Sequence, residues 1–500
     1  MKSNIILNTK NNNKYLYNRK NKSFTLLHPL LLYLIKLDEE GKDTEIEIKN
    51  IEKNLNIKNC GSFPKEEVIY YYKKLLFLKS NKLLESFHFE DSVKTDMNEK
   101  NTLSFFVNSD VIVFEVTQRC NLKCKYCAYG ENYQWFDKGS NIDLNFSKAK
   151  NLMDYYISLN NTKYSFAYKK ELIVGFYGGE PLLNFKFIKQ VVEYLTNLKI
   201  NNLSFKFSMT TNALLIHKYC DFISKYNFNL LISTDGNEMN NQYRVYKNNK
   251  PAYPKIYKNI VYLKEKYPDY FEESVNFNAV LHNKNSVIEI YSFFKKEFGK
   301  IASINEITSY GVKDDKKDDF MKIYTNIDKS LKQIEDYSNI DMKKAVNSPD
   351  YQDLRDFIIS NNSYINYSDL LYDFDKNIVM TSTCSPFSFK IFMTVNGKLL
   401  PCENVDHKYS LGLVTDDEVK IDFKAIAERY SEYYNKMKKQ CFNCYFQTHC
   451  IQCMLFLDID SDMPKCKGYT PNHKEYGTYL STRINMIEKN SDTYLDIMNE

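Results

Sequence analysis

The sequence predicts an α/β protein built around an open barrel of parallel strands with helices on its outer face. Two observations support this prediction: six short apolar or alternating runs recur between residues 108 and 310, and longer amphipathic stretches separate them. Strands that alternate with helical patterns indicate βαβ units, and six such units form a partial (β/α)6, TIM-like barrel. The predicted strands are Val111–Thr117, Leu172–Tyr177, Phe205–Thr211, Phe228–Thr234, Val275–Leu281 and Ala302–Ser309. The predicted helices are Phe146–Leu159, Leu183–Leu198, Ala213–Tyr226, Ile256–Tyr267 and Ser286–Phe298.

The composition is ordinary for a globular protein. Its 500 residues suffice for two or three domains, and a hydrophobic content of 43% can fill their cores. The 68 basic and 63 acidic residues leave a net charge of +5, which does not favour nucleic acid as a partner. Because no apolar run is long enough for a bilayer and Met1 opens no secretory signal, we expect a cytoplasmic protein without a membrane partner.

Residues 1–88 form the first predicted domain, and the polar residues 88–104 predict a linker to the barrel. A hairpin with three helices is similar to the winged-helix elements that bind the leader of a precursor peptide by adding a strand to a sheet edge. A small helical cap on the barrel is the alternative interpretation. The predicted strands and helices of this domain are Lys14–Tyr17, Ser23–Leu27, Pro29–Leu37, Ile48–Leu55 and Glu66–Leu78.

The twelve cysteines are distributed unevenly, with three in residues 120–127 and seven in residues 384–466. In a large chain without a secretory signal, such groups suggest metal binding rather than disulfides. The first group, Cys120, Cys124 and Cys127, has C-x3-C-x2-C spacing and directly follows the first predicted strand. Three thiolates on one loop can hold three irons of a four-iron cluster and leave the fourth iron open to a ligand.

This spacing resembles the cluster motif of the radical S-adenosylmethionine (SAM) enzymes, whose fold is the same partial barrel. The resemblance implies a [4Fe-4S] cluster whose open iron binds SAM, and a flavodoxin- or ferredoxin-type electron donor. It also implies that reductive cleavage of SAM yields a 5′-deoxyadenosyl radical, which takes a hydrogen atom from the substrate. After the second predicted strand, Gly178, Gly179, Glu180 and Pro181 match the family's GGEP motif, which holds the SAM amino group. The alternative is a turn before a helix that begins at the proline.

Other strand ends carry residues that the same resemblance assigns to SAM. It implies that Tyr126 packs near the adenine and that Asn212 and Ser233 lie near the ribose and carboxylate. Arg244 is the implied contact of the SAM carboxylate, although Asn240-Asn241 stands where the family often has His-Asp. The alternative interpretation at the end of the fourth strand is that the Asp235-Gly236 pair simply forms a turn.

The seven C-terminal cysteines resemble the SPASM domain, which holds auxiliary iron–sulfur clusters in peptide-modifying radical SAM enzymes. The spacing departs from the family at one point, where two residues rather than three separate Cys450 and Cys453. The two C-x2-C pairs would by themselves favour a four-cysteine zinc site. The resemblance implies two auxiliary [4Fe-4S] clusters, the first held by Cys384, Cys402 and Cys453 and the second by Cys441, Cys444, Cys450 and Cys466.

Seven cysteines are one fewer than two fully ligated clusters need, so the first cluster would have an open iron that a substrate thiolate or a non-cysteine side chain could occupy. An electron-relay role is the alternative. Glu403 follows Cys402, at the position where sulfatase-maturating relatives have an acidic proton acceptor, and is therefore a candidate base. The predicted domains are 1–88 for peptide recognition, 108–310 for the barrel, 311–383 for bridging helices, 384–470 for the SPASM domain and 471–500 for a C-terminal helix.

These features predict an oxidoreductase that modifies a ribosomally made precursor peptide. The expected product is a crosslink, with a thioether preferred over a carbon–carbon link or an epimerised residue. A sulfatase-type maturase that forms formylglycine is the alternative within the same chemistry. A non-catalytic peptide-binding scaffold stabilised by structural metal is the alternative from another class.

Overall fold

The structure, a computed structural model, describes residues 4–19, 22–58, 60–84, 96–134, 141–331, 349–360, 381, 383–447, 450, 452–489 and 491–499. Their strands form a three-stranded sheet, a two-stranded hairpin and a ten-stranded sheet. None of the described helices is both long enough and apolar enough to cross a membrane.

The N-terminal module begins with an antiparallel sheet in the order β1-β2-β3. The predicted helix Ile48–Leu55 is wrong. Asp43 caps a helix that starts earlier, because its carboxylate accepts from the backbone N–H groups of Glu45 and Ile46 at 3.0 and 3.1 Å, and this helix ends at Lys49. The module consists of β1 (Asn4–Asn8), β2 (Lys14–Asn18), β3 (Ser23–Leu26), α1 (Pro29–Glu39), α2 (Thr44–Lys49), β4 (Asn54–Ile57), β5 (Gly61–Pro64) and α3 (Lys65–Ser80).

The polar linker predicted for residues 88–104 is wrong over its described part, where α4 (Glu99–Val107) begins. Asn98 caps this helix, since its side chain accepts from the backbone N–H of Asn101 at 2.9 Å. The buried side chains Phe106 and Val107 lie on α4. The part of the predicted linker before residue 96 lies outside the described residues.

Six parallel strands form the centre of the molecule and confirm the predicted sheet. Their spatial order is β11-β10-β9-β8-β7-β6, so each strand lies beside its neighbour in the chain. They are β6 (Val111–Thr117), β7 (Lys170–Gly178), β8 (Leu203–Thr211), β9 (Asn229–Ser233), β10 (Val275–Leu281) and β11 (Ser303–Glu306). The helices between them are α5 (Phe146–Asn160), α6 (Phe185–Asn197), α7 (Ile216–Lys225), α8 (Tyr253–Lys266), α9 (Pro268–Ser274) and α10 (Val287–Phe298).

One hydrophobic core joins the sheet to its helices. The strands contribute Phe114, Phe176 and Phe277, and the helices contribute Phe187 and Phe294, all buried. The cavity on the other face of the sheet is lined in part by the strand residues that alternate with those of the core.

The C-terminal part extends the same sheet. β12 (Ile391–Met393) pairs in parallel with β6, and β13 (Lys398–Leu400), β14 (Gly412–Val414) and β15 (Val419–Lys420) follow as antiparallel neighbours. The sequence patterns did not predict these short strands. The helix α14 (Phe423–Phe442) follows the last of them.

The described parts of the predicted bridging region include three helices: α11 (Lys317–Ile323), α12 (Ile327–Leu331) and α13 (Pro349–Ser360). The rest of that prediction, residues 332–348 and 361–380, lies outside the described residues. The single C-terminal helix predicted over 471–500 is two helices, α15 (His473–Lys489) and α16 (Ser491–Asn499).

Candidate functional site

The first cysteine group lies at the carboxyl end of β6, where parallel barrels gather their active sites. Cys120, Cys124 and Cys127 are all half-buried. Burial raises the pKa of the Cys120 thiol to about 12, and it raises the pKa of the other two thiols as well. Thiols in such surroundings become thiolates when a bound metal supplies positive charge, so this donor set suits an iron–sulfur cluster.

Two glycines let the end of β7 approach the cysteine loop. The N–H of Gly179 donates to the carbonyl of Thr117 at 2.8 Å, and the chain one residue earlier has a φ of +126° at Gly178. A Cβ atom at Gly179 would lie 2.3 Å from the carbonyl oxygen of Arg119, and one at Gly178 would lie 2.4 Å from that of Thr117. In this structure, the glycines of the motif thus bring the two strand ends together.

Glu180 joins the ends of two strands from a fully buried position. Its carboxylate accepts from the N–H of Leu182 at 3.1 Å, from the hydroxyl of Thr211 at 2.7 Å and from the N–H of Asn212 at 2.8 Å. Burial raises the pKa of Glu180 to about 7 although these hydrogen bonds oppose the shift. The Asn212 amide in turn lies 3.8 Å from the sulfur of Cys120. Glu180 and Asn212 therefore belong to the surroundings of the cysteine loop.

A second buried carboxylate, Asp235, organises the opposite side of the loop. It accepts from the hydroxyl of Tyr126 at 2.5 Å, from the guanidinium of Arg244 at 2.9 Å and from the N–H of Val280 at 3.0 Å. His282 is fully buried, with its Nε2 3.8 Å from the same carboxylate. Burial favours the neutral form of Asp235, but Arg244, His282 and Tyr126 together hold its pKa below the usual value.

The structure therefore brings the predicted SAM contacts Tyr126 and Arg244 into one network with two residues that sequence reasoning missed. From the sequence, Asp235 could be interpreted as part of a turn, and a lone histidine such as His282 gave no indication of a functional role. Asn241 orders the same turn, because its side-chain oxygen accepts from the N–H of Asp235 at 3.0 Å. The Nε of Arg244 is buried and has no hydrogen-bond partner among the described residues. This free donor fits the predicted contact between Arg244 and an anionic ligand group.

The inner face of the sheet encloses a cavity of about 560 Å³. Its wall includes the predicted SAM contact Ser233 at the end of β9 and the candidate base Glu403. One residue from each strand of the barrel illustrates its mixed lining: Val113, Tyr177, Thr210, Ser233, Asn278 and Asn305. Amide and hydroxyl groups on this wall can bind the polar backbone of a peptide.

Glu403 is held at the cavity wall by Lys390, a residue that the sequence did not single out. The ammonium of Lys390 lies 3.1 and 3.0 Å from the two carboxylate oxygens. A third acidic residue, Glu115, lies on β6 and accepts from the N–H of Val395 at 2.8 Å, which ties the barrel to the strand that extends it. Burial raises the pKa of Glu115. A charged residue within an otherwise apolar strand was the signal that could have identified it.

The C-terminal cysteines form two groups. Cys441, Cys444, Cys450 and Cys466 line one cavity of about 230 Å³ between α14 and the segment that follows it. In the other group, the hydroxyl of Thr383 accepts from the N–H of Met454 at 2.7 Å. This bond brings Cys384 and Cys453 together, because each lies next to one of the two bonded residues in the chain.

Cys402 completes the first of the predicted C-terminal sets. Its thiol is close enough to Cys453 and Glu403 for their charges to raise its pKa, beyond the larger effect of burial. Each predicted set is thus compatible with the structure, and each consists of thiols, the preferred ligands of iron–sulfur clusters. Among the described residues, no three Cys, His, Asp or Glu side chains are grouped tightly enough to hold a single metal ion.

Comparison with known proteins identifies the barrel. Residues 114–294 match the family model of the radical SAM superfamily. The chain is 35% identical over 175 residues to an uncharacterized protein of Methanocaldococcus jannaschii, over 35% of this chain and 54% of that protein. It is 22% identical over 351 residues to the radical SAM cyclopropyl synthase TigE of Paramaledivibacter caminithermalis, over 67% of this chain and 65% of TigE.

A third relative is the serine-type anaerobic sulfatase-maturating enzyme of Bacteroides thetaiotaomicron, 26% identical over 196 residues that cover 37% of this chain and 43% of that enzyme. Across these three curated relatives, the aligned part covers from 43% to 65% of the relative's length. Among solved structures, native anSMEcpe with bound AdoMet matches with a TM-score of 0.50 and 17% identity, over 78% of this chain and 99% of that one. This last similarity confirms the fold.

By their match to the superfamily model, residues 114–294 are a radical SAM domain. Two of the proteins to which the chain is similar are enzymes by name, the cyclopropyl synthase TigE and the sulfatase-maturating enzyme. The resemblance inferred from the cysteine loop and the GGEP segment is thereby confirmed.

Proposed function

We propose that the chain is a peptide maturase with a SPASM-type C-terminal domain, which installs a crosslink in a ribosomally made precursor peptide. The observation that carries this proposal is the position of Tyr177 on the wall of the barrel cavity. Burial raises the pKa of this phenol most, and the charges of Glu403 and Cys127 raise it further. Tyr177 is therefore close both to the first cysteine group and to the segment that carries Cys402, so the two cysteine sites lie near one cavity.

The first group, Cys120, Cys124 and Cys127, would hold a [4Fe-4S] cluster, which with bound SAM supplies the 5′-deoxyadenosyl radical of the superfamily. Around it, Asp235 orients Arg244 toward an anionic ligand group, and the buried Tyr126 excludes water from that side. We propose that the backbone at Gly178 and Gly179 and the carboxylate of Glu180 hold the SAM amino group, and Pro181 begins the turn that follows them. We propose Asn212 and Ser233 as further contacts of SAM.

The two C-terminal groups would hold two auxiliary [4Fe-4S] clusters, for a total of three. A thioether requires the peptide to lose a hydrogen atom from carbon, which the 5′-deoxyadenosyl radical would take, a proton from a thiol, and one electron, which an auxiliary cluster would accept. Glu403 is the proposed acceptor of the proton, because it lines the cavity and lies next to Cys402. The incomplete set Cys384, Cys402 and Cys453 leaves one position for the substrate thiolate. This supports a thioether over a carbon–carbon link or epimerisation.

We propose residues 1–88 as the site that binds the precursor peptide. Among the described residues, β1 and β3 each pair with only β2, so both outer edges of this sheet are open to an added strand. Large apolar side chains also face solvent on this module, with Leu26 55%, Tyr70 61% and Phe77 60% exposed. The charge pattern supports neither nucleic acid nor a membrane as a partner, and the electron donor we propose is a flavodoxin or ferredoxin in the cytoplasm.

Anaerobic reconstitution with iron and sulfide tests the proposal. The protein is expected to bind about eleven to twelve irons, as three clusters require, and to release 5′-deoxyadenosine from SAM under dithionite. Replacement of Cys120, Cys124 and Cys127 by Ala should abolish this release, whereas Cys220→Ala, at a buried cysteine outside all three groups, should not. Release of 5′-deoxyadenosine by the triple variant would contradict the assignment of this cysteine loop as the SAM-cleaving site. Uptake of zinc alone would favour the alternative of a non-catalytic peptide-binding scaffold.

A second candidate function, formylglycine formation, is favoured by one observation: the chain is related to a sulfatase-maturating enzyme and has the acidic residue Glu403 beside Cys402. The two candidates differ in substrate. Incubation with a sulfatase-derived Cys or Ser peptide, followed by mass spectrometry, should show no aldehyde product if the chain is a crosslinking maturase. Incubation with cysteine-containing precursor peptides encoded beside this chain should show a loss of two hydrogens.

A further inference from the structure

Two buried tyrosine hydroxyls beside the proposed first auxiliary site, those of Tyr430 and Tyr434, have no hydrogen-bond partner among the described residues, and Tyr430 is the more deeply buried. Tyr430 lies on α14 with 1% of its surface exposed, and its hydroxyl makes no hydrogen bond with any described residue. An unsatisfied buried hydroxyl costs about 1–3 kcal/mol, so proteins seldom retain one without a partner. An acceptor that completes Tyr430 is therefore expected at this position.

The surroundings of Tyr430 identify where that acceptor lies. Its phenol is close enough to Cys453 for the thiolate charge to raise its pKa, in addition to the effects of burial and of Tyr434. The Tyr434 ring, one helical turn further along α14, lies 6.2 Å from that of Tyr430, and its pKa is raised by Cys384 and Cys453 as well as by burial. This face of α14 therefore borders the set Cys384, Cys402 and Cys453.

We propose that the hydroxyl of Tyr430 donates a hydrogen bond to a sulfur atom of the cluster held by Cys384, Cys402 and Cys453. This inference rests on the proposed auxiliary clusters and adds a residue that tunes one of them. Hydrogen bonds to the sulfurs of an iron–sulfur cluster help to set its reduction potential. Because such a bond stabilises the more negatively charged, reduced cluster, Tyr430 raises the potential of this cluster relative to one without the bond.

The test compares the reconstituted wild-type protein with Tyr430→Phe, which removes only the hydroxyl. A redox titration followed by electron paramagnetic resonance should show one midpoint potential that becomes more negative, with the others unchanged and the iron content the same. The affected signal should be the one that is lost in the variant in which Cys384, Cys402 and Cys453 are all Ala. Tyr433→Phe is the matched control, because Tyr433 is on the same helix and its hydroxyl lies 3.5 Å from Asp460.

Resonance Raman spectroscopy of the wild-type protein and of Tyr430→Phe gives a second readout. Iron–sulfur stretching bands should shift between protein reconstituted in H2O and in D2O, and the part of this shift due to Tyr430 should be absent from Tyr430→Phe. Unchanged potentials and an unchanged isotope shift in a fully loaded variant would overturn the inference. Loss of an iron from the variant would also overturn it and would make Tyr430 a ligand instead. In either case, SAM cleavage at the first cysteine site would continue. The result for Tyr430 would therefore leave the test of the proposed function unaffected.

Discussion

At the scale of single residues, hydrogen bonds that cross between strand ends build the site. Asp235 links Tyr126, Arg244 and the N–H of Val280, and Glu180 links two strand ends through Thr211 and other donors. Both carboxylates are completely buried, so their partners must satisfy them within the protein. The positions of the predicted SAM contacts depend on these two acids.

Gly179→Ala should lower the free energy of unfolding by about 3 kcal/mol, because the new Cβ would overlap backbone rather than a movable side chain. Chemical denaturation followed by circular dichroism measures this effect. The control is Gly477→Ala within α15, where the nearest atom to a new Cβ is a side-chain carbon of Ile5 at 3.6 Å. That substitution should leave stability unchanged or raise it by up to about 1 kcal/mol. Equal stabilities of the two variants would contradict the close packing of the motif.

Glu180 should make the folded protein less stable as the pH rises. Its pKa is about 7 in the folded protein and 4.5 without the protein environment, so between these values only the folded form retains the proton. The stability that this proton contributes falls as the pH rises from about 4.5 to about 7, by about 3 kcal/mol in total at ~1.4 kcal/mol per pKa unit.

Glu180→Gln cannot titrate, so its free energy of unfolding should decline less over this pH range than that of the wild type. Denaturation series at pH 5, 6 and 7 provide the comparison. Glu193→Gln, at a carboxylate that is 46% exposed on α6, is the control and should keep the wild-type slope. A slope in Glu180→Gln as steep as that of the wild type would show that Glu180 is not the responsible group.

At the scale of elements, strands and helices with a strong local pattern matched their predictions and weakly patterned ones did not. The predicted bounds of β6 and β10 agree with the structure at both ends, since β6 is rich in β-branched residues and β10 alternates buried with less buried residues. By contrast, β12 and β13 have only three residues each, too few to show a period. They form because β6 offers a free edge to the C-terminal part.

The stability of the helix α14 should depend on the residue that precedes it, Asp422. The side chain of Asp422 accepts from the N–H of Ala425 at 2.9 Å and so satisfies an otherwise unpaired group at the start of the helix. Asp422→Ala should lower the free energy of unfolding by about 1 kcal/mol. Lys424→Ala is the control, because this residue is 73% exposed and its ion pair with Glu428 spans 3.9 Å, so its effect should stay below about 0.5 kcal/mol. A loss in the control as large as in Asp422→Ala would argue against capping.

At the scale of the whole molecule, the N-terminal module packs against the C-terminal helices. Ile5, Leu7 and Tyr17 share one hydrophobic core with Tyr476 and Leu480 of α15. The module therefore lies beside the second C-terminal cysteine group rather than at the end of a free tether. The precursor peptide that we propose to bind at the edge of this sheet would therefore be held next to the C-terminal cysteines.

Arg19 should hold this arrangement together. This residue is 6% exposed, and its guanidinium donates to the side chain of Gln447 at 3.1 Å and lies 4.7 Å from the centre of the Tyr445 ring. Arg19→Ala should remove about 2 kcal/mol of stability and expose the module to limited proteolysis. Lys42→Ala, which removes an exposed ion pair with Glu40, should leave the digestion pattern unchanged. Resistance of Arg19→Ala to the protease would show that the apolar core alone holds the module.

By itself, the sequence determined the class of the protein, because its evidence is local. The spacing of Cys120, Cys124 and Cys127, the Gly178-Gly179 pair and the alternation of strands with helices can each be read within a short stretch of chain. Only the tertiary structure decided which distant groups meet: Lys390 with Glu403, Asp235 with Arg244, and the first cysteine site with the C-terminal part through the parallel pairing of β12 and β6. These long-range contacts depend on strand order and on burial, which are properties of the packed sheet that no local sequence pattern encodes.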